Sequence, residues 1–164
     1  MQRPAPTTPG PGQESVWDYP RPPRIERVER RVRVEVAGVV IADAPDAIRI
    51  LETSHPPTYY VDPAHCVAAY LEPVGGGSFC EWKGVASYFD VVVDHRRGEQ
   101  AAWCYPEPTG AFAELADHLA FYPALVECYV DDERVRPQPG RFYGGWITDD
   151  VVGPFKGEPG TLFW

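Results

Sequence analysis

Lysine is nearly missing from this chain. Of its 15 basic residues only Lys83 and Lys156 are lysines, and the other thirteen are arginines. Positive charge is scarce overall, with a net charge of −9; that balance argues against a nucleic-acid partner, because phosphate binding needs a basic face. No apolar run approaches the roughly 20 residues of a membrane span, and the opening MQRPAPTTPGPGQE lacks the apolar core of a secretory signal. A soluble cytoplasmic protein is expected. Paired cysteines are also missing: Cys66, Cys80, Cys104 and Cys128 are spread out, and His65 and Cys66 are adjacent. A structural zinc site usually takes ligands two to four residues apart, so that one tight turn aims both at the ion. Neither a metal nor another cofactor is expected, and the thiols read as reduced core residues. Long helices are excluded by 19 prolines and 15 glycines, which remove helical hydrogen bonds or raise the entropic cost of ordering.

What is present is apolar and aromatic, 44% and 13% of the 164 residues, enough for one ordinary domain with extensions. Both lysines sit in the same triplet, aromatic-Lys-Gly: Trp82-Lys83-Gly84 and Phe155-Lys156-Gly157. Codon bias in a GC-rich genome is one explanation. A chemical one is that lysine is a compact donor whose pKa responds to burial, whereas arginine stays protonated and forked.

The patterns read as strands. Val32, Val34 and Val36 alternate in RVRVEV; Val39 to Ala42 returns; AIRILET (47–53) places Ile48 and Ile50 opposite Arg49 and Leu51; TYYV resumes at 58. A strand is expected near 67–71, a hairpin tip at Gly75-Gly76-Gly77, and paired strands 79–82 and 85–93 around the Lys83-Gly84 turn. A charged turn over 95–99, strands 100–105 and 125–130, and one helix over 110–120, with Phe112, Leu115, Ala116 and Leu119 on one face, complete the reading. Seven to nine short strands with one helix predict a mainly β domain of antiparallel sheets. The expected organisation is a Pro-rich arm over 1–23, the domain over 24–136, and a Gly/Pro/aromatic-rich extension over 137–164 that packs on the body.

The series LETSHPPTYYVDP (51–63), CEWKGVASYFDV (80–91), AWCYPEP (102–108) and LAFYP (119–123) resembles the bacterial and fungal domain-of-unknown-function family 427, also labelled nucleotidyltransferase-like domain 9. The resemblance spans roughly residues 32 to 132 and implies a β-tent-like, Mss4-like fold: two antiparallel sheets meeting at an angle over a small aromatic pocket. Relatives of that architecture include the drug-binding domain of cereblon and B-type methionine-sulfoxide reductases, many of which hold zinc through CxxC pairs that this chain lacks. The family's third motif usually carries serine where Cys104 stands, which argues against Cys104 as a shared nucleophile. The resemblance supplies a fold and a pocket, and no reaction.

Three functions follow. The first is a pocket built on Lys83, walled by Trp82, Tyr88, Trp103 and Tyr105, with Glu52, His55 and Tyr59 from the preceding motif, binding a small polar or anionic molecule. If it is an enzyme, Lys83, Glu52 and Cys80 are the candidate catalytic residues: a desolvated amine for carbonyl or anion chemistry, a carboxylate to orient it, and a thiol close to a cation. The plainer alternative makes Lys83-Gly84 a solvated turn, Cys80 a small core residue, His55 a surface histidine at a bend, and the aromatics ordinary core. His65, His95 and His118 read as solvated. The second function is a non-catalytic interaction or scaffold module, in which arm and tail wrap a partner or a second copy in a homodimer. The third and weakest is nucleotidyl transfer. Gly77-Ser78 precedes Asp90 and Asp94, but on a strand those aspartates lie about 13 Å apart, and two-metal sites hold their ions roughly 4 Å apart. Lys83 is expected to meet Glu52 or a ligand anion inside the pocket, and Lys156 to lie in a tail covering the body from outside.

Overall fold

The computed structural model describes residues 3–164; Met1 and Gln2, the first residues of the expected arm, lie outside the described residues. The strands run β1 (Glu14–Ser15), β2 (Arg24–Val28), β3 (Val32–Val36), β4 (Val39–Ala44), β5 (Ala47–Leu51), β6 (Thr58–Tyr60), β7 (Leu71–Cys80), β8 (Gly84–Val93), β9 (Arg96–Cys104), β10 (Ala120–Phe121), β11 (Glu127–Val130), β12 (Glu133–Arg134), β13 (Arg136–Pro137), β14 (Trp146–Ile147) and β15 (Val151–Val152). They form two four-stranded sheets, β10-β9-β8-β7 and β12-β11-β3-β4, a three-stranded sheet β2-β5-β6, and the two-stranded pairs β13-β14 and β1-β15. Every pairing is antiparallel except β1 with β15. The chain is mainly β. Among the described residues no helix is long and apolar enough to cross a membrane.

The valine alternation does what its period requires. Val32 and Val34 are fully buried and join Ile41, Val91, Phe121 and Val130 between the two large sheets. A second cluster, including Ile48, Ile50, Tyr60, Trp103, Tyr105 and Leu115, lies where the three-stranded sheet faces β8 and β9. In β5 both faces are covered, so Arg49 and Leu51 are buried as well as Ile48 and Ile50. Leu51 packs with Val16, Trp17, Tyr19, Ile147 and Val151, and Arg49 reaches Glu14 and Glu26, each at 2.7 Å.

Four local expectations change. The helix expected over 110–120 is a 3-10 segment, Gly110–Leu115, with a non-helical residue at Phe112. Its apolar spacing still buries Phe112 and Leu115, but the segment stops after six residues, with Ala116 at the non-helical φ −46° and ψ 122°, well short of the roughly 12 residues a self-supporting α-helix needs. Gly75-Gly76-Gly77 is not a tip: the register passes from Val74↔Tyr88 to Gly77↔Ser87, so the glycines form a bulge inside β7. The charged turn shrinks to Asp94 and His95, because β9 already starts at Arg96. The segment near 67–71 is a 3-10 turn, Ala68–Tyr70, leading into β7.

Candidate functional site

Lys83 ends the three-residue turn between β7 and β8, after Cys80 pairs with Gly84. The turn is fixed from below by Thr109. Its hydroxyl donates to the Trp82 carbonyl at 2.5 Å, and its N–H donates to the Lys83 carbonyl at 3.2 Å. Gly84 takes φ +101°, a conformation that L side chains rarely adopt, and a Cβ there would stand 3.3 Å from the Glu107 carbonyl oxygen. This geometry turns the lysine inward. Lys83 is 9% exposed, its amine lies 5.7 Å from the Tyr105 ring centre, and no carboxylate among the described residues is within ion-pairing distance of it.

Lys83 lines a cavity of about 340 Å³ together with Glu52, His55, Cys80, Trp82, Tyr88, Trp103 and Tyr105. That size is at the small end for metabolite sites. Tyr59 does not line it. Successive strand residues face opposite sides, so Tyr60 enters the cavity while Tyr59 stacks on Trp146 in the main core, with ring centres 5.0 Å apart. The walls are continuous aromatic surface: Trp103 lies 4.4 Å from Tyr122 and 6.3 Å from Tyr60 between ring centres. Tyr88 shares a 2.7 Å hydrogen bond with Ser78 across the β7–β8 ladder. Burial pushes the phenols of Tyr60 and Tyr105 up and that of Tyr122 to about 12. These rings therefore offer neutral hydroxyl donors at ordinary pH.

Lys156 does not cover the body from outside; it lines the same cavity. Its backbone is tied on both sides, the N–H donating to the Ser54 carbonyl at 2.9 Å and the carbonyl accepting from Gln138 Nε2 at 2.8 Å. Gly157 follows at φ +141°, packed so tightly on the Pro139 carbonyl that no Cβ fits. The amine lies 5.7 Å from the Tyr143 ring centre and 3.4 Å from the main-chain oxygen of Trp164. Burial, followed by the Arg21 guanidinium, lowers its pKa. The two triplets thus share sequence, a positive-φ glycine and a tyrosine beneath the amine.

Glu52 lines the cavity but is not the partner of Lys83. It stands 3.4 Å from Arg21 and 3.5 Å from His55 Nε2. His55 is no surface residue: its side chain is 13% exposed and lies edge-on to Tyr143, 4.9 Å between centres. Gln138 fixes its tautomer. The Gln138 Oε1 accepts from the Gly145 N–H at 3.1 Å, so Nε2 is the donor, to the Lys156 carbonyl and to His55 Nδ1 at 3.1 Å. The imidazole proton is then on Nε2, facing Glu52. Burial above all, then Lys156, Arg21 and Lys83, push the imidazole pKa down to about 3. His55 is neutral at physiological pH.

Cys80 lines the cavity half-buried, and all four cysteines are free thiols. His65 and His95 are exposed and His118 is half-buried. Asp90 is committed to Arg97 at 2.7 Å and to the Gln100 N–H at 2.8 Å, and Asp94 sits in the β8–β9 turn; neither lines the cavity. Among the described residues no group of three or more His, Cys, Asp or Glu is arranged to hold a metal ion.

Over residues 24–132 the sequence matches the profile of a domain of unknown function, DUF427, labelled NTP_transf_9. The chain belongs to this family. Among curated proteins none matches it. The DUF427 region supplies Lys83, Glu52, His55 and most of the aromatic wall, while Gln138, Phe142, Tyr143, Gly144 and Lys156 come from beyond it. The sequence reading missed these five, along with Tyr60 and Tyr122. The repeated aromatic-Lys-Gly triplet was the one signal that could have placed Lys156.

Proposed function

We propose that the DUF427 chain binds a small anionic molecule in this cavity through Lys83. One observation carries the reading: the amine of a largely buried lysine, 5.7 Å from the Tyr105 ring centre in an aromatic-walled cavity, has no carboxylate within ion-pairing distance among the described residues. A lone cation at such a site is stabilised by a ligand anion more than by water, and the tyrosine hydroxyls add donors to the same anion. Whether chemistry follows binding rests on Lys83, Cys80 and the neutral His55, which all face the bound molecule. The sheets are read as a β-tent-like body over 24–136, and the protein as cytoplasmic.

The test is thermal unfolding of wild type and Lys83→Met against benzoate, inorganic phosphate and small aliphatic carboxylates. At a hundred times its dissociation constant a ligand stabilises by about 2.7 kcal/mol, several degrees for a chain of this length. The expected result is a rise for at least one anion in wild type and none in Lys83→Met; equal shifts in both proteins refute the reading.

A second reading, a protein-interaction module, is favoured by the exposed rings at the cavity rim, Phe79 at 75% and Phe142 at 76%. It predicts a concentration-dependent change in sedimentation that Phe79→Ser with Phe142→Ser removes.

A further inference from the structure

We infer that the ligand is a dianion, clamped at two points, and that the segment 137–164 sets this specificity. The inference rests on the proposed anion site and deepens it. The only two lysines of the chain come from turns more than seventy residues apart in sequence, yet both line one cavity of about 340 Å³. Their surroundings match: each amine stands 5.7 Å from the centre of a tyrosine ring, Tyr105 for Lys83 and Tyr143 for Lys156. A glycine at positive φ turns the backbone after each.

The charge balance points the same way. Two carboxylates line the cavity, Glu52 and Glu81. Glu52 is held by Arg21, and Glu81 is exposed at the rim. Neither is within ion-pairing distance of Lys83 or Lys156 among the described residues. His55, between the two halves of the site, is neutral and brings no charge of its own. Lys83 is therefore left for the ligand, and Lys156 is held only by the Trp164 main-chain oxygen at 3.4 Å, so a single carboxylate or phosphate monoanion compensates one of the two amines. A molecule with two acidic groups on a flat apolar body satisfies both and covers the aromatic wall between them.

The second amine does not belong to the DUF427 region. It is carried on a segment locked to the first half of the site through Gln138, which joins the Lys156 carbonyl to His55. The shared domain thus supplies one anion point, and this segment adds the other together with Tyr143.

The experiment is calorimetric titration with benzoate and with phthalate, isophthalate and terephthalate, whose paired carboxylates span three separations. A charge-assisted contact contributes about 1.5–3 kcal/mol, so at least one dicarboxylate binds wild type tenfold or more tighter than benzoate. In Lys156→Met that ratio falls to about one, and in Lys83→Met binding of all four is lost, while the unliganded unfolding profile shows each variant folded. Equal affinity of benzoate and all three dicarboxylates in wild type overturns the two-point clamp and leaves the anion site standing. A ratio that survives Lys156→Met overturns the role of the segment. No binding of any of the four overturns the clamp, and the anion site falls with it when phosphate and the aliphatic carboxylates also leave the wild-type unfolding profile unchanged.

Discussion

At the residue scale, the cavity is defined by what its titratable groups are prevented from doing. His55 is held neutral by burial and by three nearby cations. Unfolding releases it to its ordinary value of 6.5, whereas the folded protein takes up the proton only near pH 3. Below pH 6.5 the unfolded chain binds a proton that the folded chain does not, so folding stability falls as pH drops from 6.5 toward 3. The slope from this group is at most about 1.4 kcal/mol per pH unit. Urea unfolding at pH 7, 5.5 and 4 is expected to show a smaller loss in His55→Asn than in wild type; parallel losses would mean that the imidazole is protonated in the fold. Lys83 makes a separate prediction. The planar arginine head is larger and forked, so Lys83→Arg keeps the charge but weakens anion binding about tenfold or more, as titration of the wild-type ligand will read.

At the scale of elements, strand period was legible and strand ends were not. The alternation in RVRVEV anticipated the burial of Val32 and Val34, although Val36, beyond the register shift at Val34/Glu35, is only half-buried, and Phe79↔Val85 pairs as the Lys83-Gly84 turn required. The same period separates Tyr59 from Tyr60. A one-residue offset exchanges the faces of a strand, and TYYV carries two tyrosines in a row with nothing local to say which one faces the cavity. Three consecutive glycines signal either a tip or a bulge, and only the pairing of β7 with β8 decides. The turn after Lys156 gives an element-scale prediction. Gly157→Ala forces a side chain into a φ of +141° against the Pro139 carbonyl, at a cost of about 1–3 kcal/mol. Gly12→Ala, also at positive φ but in open space, is expected to cost less; chemical denaturation of the two variants compares them directly.

At the scale of the whole molecule, the described part of the Pro-rich arm is tied to the C-terminal segment, which composition alone did not show. The Pro-rich arm reads as irregular, yet β1 pairs with β15, and Arg30 bridges Asp131 and Asp150 at 3.0 and 2.7 Å. These contacts join residues more than a hundred positions apart, beyond the reach of any local pattern. Trp146 anchors the C-terminal segment: it is fully buried, stacks on Tyr59 and donates from Nε1 to the Phe121 carbonyl at 2.9 Å. Trp146→Ala is expected to lose about 3–5 kcal/mol and, because it loosens the wall that carries Lys156, to make the 137–164 segment the first site of limited proteolysis. The scarcity of lysine also supplies the most direct test of the account. In protein labelled with 13Cε-lysine, an NMR spectrum holds two lysine signals, assigned by Lys83→Met and Lys156→Met. Titration with the tightest-binding benzenedicarboxylate is predicted to move both signals together along one binding curve, loss of Lys83 to abolish the response of Lys156, and loss of Lys156 to shift the Lys83 response to about tenfold higher ligand concentration or more. Two signals that stay fixed, or that move on separate curves, contradict a shared two-amine anion site.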